Sequence, residues 1–297
     1  MNGEICVVTG ATSGIGRATA IGLAKKGARV VLVARNQAKA TQLVDEISKI
    51  PGVITPEVVL ADLSEMKQVC RASDEIRNRF DHVDVLINNA GGMFDTYHES
   101  SEGIEEAYAV NHLAVVLLTL SLHPSLKKAK HPRVVIVSSH VQNVPLIRDY
   151  AALVTPKYDW SKVYAQTKLR TSVFARALSE RWKDDGITVN SLHPGFVDTG
   201  LMSGMDNGFL RALFTIAKHF FMSPAKGART SIFLAGDPSV ANVTGEYFVK
   251  CKSAPYNSIA NDLATRKLLW DESMTFLKKA GIDGDRAGPG SVAKVQH

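Results

Sequence analysis

The sequence predicts an α/β fold, a single doubly wound domain whose mostly parallel, seven-stranded sheet carries helices on both faces. Short β-branched runs alternate with helix-like stretches from the N-terminus onward, the order expected of βαβ units. Several of these runs are apolar throughout instead of alternating, as strands covered on both faces are. The chain has 297 residues, 45% hydrophobic and 22% charged, which leaves room for a large core. That balance excludes disordered, collagen-like and small disulfide-stapled chains.

In chain order, strands are expected over 5–9, 30–34, 58–60, 83–88, 133–138, 188–192 and 247–249. Helices are expected near 15–26, 37–49, 66–80, 104–123 and 161–183. Gly27 stands one residue past Lys25 and Lys26, where a helix-ending glycine belongs. Ser223 and Pro224 read as an N-cap and first-turn proline opening a helix over 225–235. The organisation is one domain over 1–280, with a substrate lid at about 200–223 and a disordered tail over 281–297.

No run reaches the roughly 18–20 apolar residues of a membrane span. The longest candidate, 113–122, is interrupted by Thr119 and Ser121 and stopped by Pro124. Residues Met1 to Glu4 lead straight into a four-residue apolar run, too short for a signal-peptide core. Cys6, Cys70 and Cys251 lie far apart, which argues against a disulfide framework and for a reducing compartment. A cytoplasmic protein is expected. Lys and Arg number 35 against 29 Asp and Glu, a net charge of +6 that calls for a phosphate partner, nucleic acid or solubility alone.

The stretch Thr9-Gly10-Ala11-Thr12-Ser13-Gly14-Ile15-Gly16 sits between the first strand and first helix. A turn this tight needs residues without a Cβ, and a diphosphate must approach backbone N–H groups at the helix start. Its spacing, Gly10-x-x-x-Gly14-x-Gly16, differs from the G-x-G-x-x-G form of many dinucleotide folds. Ser13, Ile15 and Arg17 belong to the same candidate cradle. Many NAD sites carry an acidic residue at the end of the second strand; here stand Ala34, Arg35 and Asn36. A guanidinium binds a 2′-phosphate bidentately whereas a carboxylate repels it, so Arg35, with Arg17 as a second charge, points to NADP(H).

Tyr164 and Lys168 lie at i and i+4, on one face of a helix. A phenol with an ordinary pKa of about 10 needs a neighbouring cation to move protons near neutrality. Ser139 closes the fifth strand at the carboxyl edge of the sheet, where open α/β folds bind ligands.

With Asn88-Asn89-Ala90-Gly91 and His193-Pro194-Gly195, these motifs make the chain resemble the short-chain dehydrogenase/reductase family, over about residues 4–275. Val110-Asn111-His112-Leu113, the stretch from Leu192 to Thr199, and Leu269-Trp270-Asp271-Glu272-Ser273 resemble its retinol-dehydrogenase-like branch. The resemblance implies a Rossmann-type domain and an NADP(H)-dependent oxidoreductase that interconverts a ketone or aldehyde and its alcohol. It implies Tyr164 as general acid or base and Ser139, in preference to Ser138, as the group polarising the substrate oxygen. Lys168 would lower the phenol's pKa and bind the nicotinamide ribose, and Asn111 would place a relay water. Asp62 would meet the adenine amine, Asn89 the adenosine ribose, and Val197 and Thr199 the carboxamide. Asp62 and Glu65 also fit a capping box for the next helix.

Beyond Thr199, Phe209, Leu210, Leu213, Phe214, Ile216, Ala217, Phe220 and Phe221 alternate with Arg211, Thr215, Lys218 and His219 in helical register. The segment reads as a lid over a small apolar carbonyl or alcohol; core packing and, less favoured, a membrane surface are its other readings. No His or Cys spacing suits a metal, and nucleic acid is not needed to explain the charge. Relatives of the family commonly pair through the helices carrying Asn111 and Tyr164, so the resemblance allows a homo-oligomer. An inactive NADP(H)-binding regulatory or scaffold protein is the alternative, against which the intact Asn111, Ser139, Tyr164 and Lys168 set argues.

Overall fold

The computed structural model describes residues 1–148, 150, 158–197 and 222–282. Its sheet begins with β1 (Ile5–Thr9), β2 (Arg29–Ala34) and β3 (Glu57–Leu60), separated by α1 (Gly14–Lys25) and α2 (Gln37–Ser48). Helix α3 (Met66–Arg79) leads to β4 (Val85–Asn88). Next, α4 (Glu106–Tyr108) runs through a π-helical turn (Ala109–Leu113) into α5 (Ala114–Ser121) and the short α6 (His123–Leu126). Strand β5 (Arg133–Val137), helix α7 (Trp160–Arg181) and β6 (Thr188–His193) follow, then α8 (Pro224–Gly236). The hairpin β7 (Tyr247–Val249) and β8 (Lys252–Ala254) precedes the last helix, α9 (Leu263–Lys279).

The sheet order is β3-β2-β1-β4-β5-β6-β7-β8. All pairings are parallel except β7 with β8. The strand count therefore corrects the expected seven to eight. The extra strand returns through Lys250 and Cys251, whose φ values of 51° and 61° are the left-handed pair a two-residue hairpin turn requires. Neither residue is a glycine or asparagine, so the turn carries no sequence signal. The order reverses beside β1, and there the carboxyl ends of β1 and β4 open a crevice.

Alternate residues of each strand feed two cores. Val7, Val31 and Val33 join α3, α5, α7 and α9 on one face. Cys6, Val8, Val30 and Leu32 join α1, α2 and α8 on the other. This two-sided burial is the reason the strand runs are apolar throughout. Gly27 has φ 86° and donates to Ala24 O, ending α1 as its position suggested. Ser223 caps α8, accepting from Lys226 N at 3.4 Å, with Pro224 in the first turn.

The expected capping box on α3 is not formed. The helix starts at Met66; Asp62 Oδ1 accepts from Ser64 N and Oγ at 3.0 and 2.7 Å. The Glu65 carboxylate is taken by Ser101. Glu102, from a distant loop, accepts instead from Met66 N and Lys67 N at 3.2 and 3.1 Å. Thr199, the lid expectation except for Met222 and Ser223, and residues 283–297 of the expected tail lie outside the described residues. No described helix is long and apolar enough to cross a membrane.

Candidate active site

Three structural neighbourhoods meet at the carboxyl edge of β1, β4, β5 and β6. The first is the glycine turn. Gly10 and Gly14 have φ of 63° and 50°, and a Cβ on Gly10 would lie 2.9 Å from Ala90 Cα. Asn89 closes the turn from β4, its Nδ2 donating to Thr9 O at 2.9 Å. Thr9 Oγ1 in turn accepts from Asn89 N and Ala90 N, both at 3.0 Å. The side chain expected along a ribose thus also braces the loop.

Helix α1 starts at the exposed Ser13 with neither a side-chain cap nor an acidic residue in its first turn. Helices α2, α7 and α9, by contrast, are capped by Asn36, Asp159 and Asp262. Bare N–H groups beside a Cβ-free turn suit an anion, so the residues present fit a dinucleotide diphosphate. Ile15 and Val197 both pack on Gly227 of α8, where a Cβ would lie 2.6 Å from Val197 Cγ2 and 3.2 Å from Ile15 Cγ1. Arg35 is exposed just past β2. Arg17 is paired with Glu46 of α2. Asp62 is half-buried after β3.

The second neighbourhood is the Tyr164 and Lys168 pair on α7 with the end of β5. Tyr164 and Lys168 are 7% and 3% exposed, and the ammonium lies 5.8 Å from the phenol's ring centre. Burial pushes the Tyr164 hydroxyl up to about 12, and the neighbouring Ser139 side chain pulls the other way. Burial also draws Lys168 down to about 8, while its Nζ donates to Val137 O at 3.2 Å. Ser138, the neighbouring candidate, has its hydroxyl committed to Lys168 O at 3.0 Å and Ser172 Oγ at 2.6 Å. His193 Nδ1 accepts from His140 N at 3.2 Å and so holds the backbone just after Ser139; no sequence pattern announces that contact.

The third is the turn bearing Asn111. Its Oδ1 accepts from Gly92 N at 2.8 Å, and its Nδ2 donates to Gly92 O at 2.9 Å and Thr167 Oγ1 at 3.2 Å. A π-helical turn, a feature frequent at functional sites, sets this register. Gly91 lies between the second and third neighbourhoods, where a Cβ would sit 2.9 Å from Lys168 Nζ and 3.0 Å from Asn111 Oδ1. The structure brings Asn111, Ser139, Tyr164 and Lys168 to one edge with the glycine turn. A proton on the phenol, a serine hydroxyl beside it and a cation one turn away can protonate or deprotonate an oxygen. Among the described residues, no three His, Cys, Asp or Glu gather to hold a metal.

The short chain dehydrogenase model matches residues 4–208, and the chain belongs to that family. It is an oxidoreductase of this family with a retinol-dehydrogenase-like sequence. It is similar to retinol dehydrogenase 14 of Mus musculus, 36% identical over 288 residues that cover 92% of this chain and 85% of that protein. A solved structure from Mycobacterium paratuberculosis superposes with TM-score 0.73 at 26% identity, covering 93% of this chain and 94% of the other. A short chain dehydrogenase structure from Shigella flexneri, complexed with NADP, gives TM-score 0.68 at 25% identity, covering 85% and 98%.

Proposed function

We propose that this protein is an NADP(H)-dependent oxidoreductase that interconverts an apolar or aromatic ketone or aldehyde and the corresponding alcohol. The observation that carries this reading is the Ser139 hydroxyl on the buried Tyr164 phenol, with Lys168 one helical turn away. A nicotinamide held there would supply or accept the hydride. Gly10, Ser13, Gly14, Ile15 and Gly16 would hold its diphosphate, Arg35 its 2′-phosphate, and Asp62 and Asn89 its adenosine. Val197 and Thr199 would face the carboxamide, and Tyr164 and Lys168 the adjoining ribose. Arg17 counts less here, because Glu46 neutralises it. Likeness to an NADP complex and to a retinol dehydrogenase supports the cofactor and an apolar substrate. Three free cysteines suit a reducing compartment, and we place the activity in the cytoplasm.

Within the site the chain's own groups handle one proton. The high pKa keeps Tyr164 protonated at neutral pH. In reduction the phenol gives that proton to the substrate oxygen, which the Ser139 hydroxyl holds. Lys168 offsets the charge left on the phenol oxygen. In oxidation the same groups work in reverse.

The test is NADPH consumption against a panel of apolar carbonyls, retinal among them, for wild type and Tyr164→Phe. The substitution is expected to cut kcat by about 100-fold or more while NADPH affinity holds, because one acid–base group contributes that much. Turnover unchanged by the substitution refutes the mechanism. A wild type that binds NADPH yet reduces no carbonyl favours a nucleotide-binding module, and a preference for NADH refutes the role of Arg35.

A further inference from the structure

The stretch from Leu269 to Ser273, singled out in the sequence, has no part in the chemistry above. In the structure it carries Glu272, at the end of a buried polar chain that reaches the catalytic helix. Arg170 of α7 is completely buried and donates to Glu272 twice, from Nε at 2.8 Å and Nη2 at 3.2 Å. The same guanidinium donates from Nη1 to Gln166 Oε1 at 3.1 Å and from Nη2 to Ile147 O at 2.9 Å. Gln166 completes the grip: its Oε1 accepts from Ile147 N at 3.0 Å, and its Nε2 donates to Pro145 O at 2.8 Å.

The gripped backbone lies on the path from Ser139 to Tyr164, the two residues that meet at the reacting oxygen. Gln166 lies two residues beyond Tyr164 and two before Lys168. Residues two apart point to opposite sides of a helix, so one turn of α7 faces the proton-transfer group on one side and the loop on the other. We propose that Gln166, Arg170 and Glu272 form a positioning clamp that fixes the Pro145–Ile147 part of the connection from Ser139 to Tyr164 against the helix carrying Tyr164 and Lys168. This deepens the oxidoreductase reading and rests on it.

Tyr150 extends the clamp. Its ring centre lies 4.9 Å from the Arg170 guanidinium and 4.2 Å from that of Tyr108. Its hydroxyl donates to Glu105 at 2.8 Å. Glu105 also accepts from Ala107 N and Tyr108 N, at the start of the turn that holds Asn111. A displacement of the loop is therefore passed to α7 through Gln166 and Arg170 and to the turn that holds Asn111 through Glu105. It is not a change in the proton chemistry itself.

Removing Glu272 would strand a buried guanidinium, so the test uses Gln166. Gln166→Glu keeps the acceptor for Arg170 and Ile147 N but faces the Pro145 carbonyl with an oxygen; Gln166→Met loses both of the residue's bonds to the loop and leaves only Arg170 on Ile147 O. The carbonyl KM is expected to rise about 10-fold in Gln166→Glu and more in Gln166→Met, with kcat within about threefold, because the loss is of positioning. NADPH affinity should not change. Hydrogen exchange at the Ile147 amide should accelerate about 10-fold or more in Gln166→Met, following the lost bond, and stay protected in Gln166→Glu, which keeps that acceptor. A fall in Tm with KM and exchange unchanged assigns the residues a purely structural role and overturns the clamp. A wild type without carbonyl turnover defeats the functional reading alone; exchange at Ile147 then decides the clamp, with unchanged protection overturning it.

Discussion

Lys168 loses nearly all its hydration on folding and gains in return a hydrogen bond to Val137 O at 3.2 Å. Burial therefore lowers its pKa from 10.5 to about 8. Below about pH 8 folded and unfolded chains both hold the proton, and the full cost of burying the charge is present. Between about 8 and 10.5 only the unfolded chain holds it, so stability rises with pH, and above 10.5 the cost is gone. Lys168→Met is accordingly expected to stabilise the cofactor-free protein at pH 7 by about 2 kcal/mol, using ~1.4 kcal/mol per pKa unit less the lost hydrogen bond. The advantage should fade above pH 10, and turnover should fall by at least about 100-fold. Urea unfolding at both pH values checks the stability; a variant weaker than wild type at pH 7 contradicts it. The fold thus holds a buried charge that folding itself disfavours, as the proposed chemistry would require.

At the scale of elements, α8 and the glycine turn depend on each other. Gly227 lets Val197 and Ile15 close over the start of α8, and any side chain there pushes one of them away. Gly227→Ala should therefore weaken NADPH binding by about 10-fold while lowering Tm by only about 2–4 °C, since the strain falls on the cradle more than the core. NADPH fluorescence titration beside a thermal melt separates the two; a melt that drops while affinity holds would show a packing role alone. Much of this arrangement could be read from local pattern. β-branched runs gave the parallel strands, the Gly10–Gly16 turn gave the cradle, and four-residue spacing put Tyr164 and Lys168 together. Strand β8 could not be read, because Lys250 and Cys251 adopt positive φ without glycine. Helix α9 was missed although Asp262 caps it, accepting from Thr265 N at 2.8 Å. The clamp was least legible: a buried arginine looks solvated in a sequence, and its carboxylate lies 102 residues away.

Across the whole molecule, α9 decides which surfaces remain available. Trp270 stacks on Phe174 of α7 with ring centres 5.6 Å apart, under the Arg181 guanidinium at 4.0 Å. Phe276 meets Tyr108 edge-on at 4.9 Å, and His112 Nε2 bonds Ser273 Oγ at 2.8 Å. Ser273 Oγ also donates to Leu269 O at 2.8 Å, so its single proton is spent and His112 must be the donor. Burial holds that imidazole down to about 3, so the contact stays neutral through the physiological range. The last helix thus covers the helices carrying Asn111 and Tyr164, and a second copy cannot pack on the Phe174 and Tyr108 surface while it stays docked. Because Trp270 and Leu277 belong to the same core as β1 and α3, α9 should melt with the sheet and not before it. Trp270→Ala is expected to cost about 3–5 kcal/mol and lower Tm by about 6–15 °C in one transition, seen together by near- and far-ultraviolet circular dichroism. A separate early transition with the main Tm unmoved would instead make α9 an appendage, and would free that surface for pairing in the native protein.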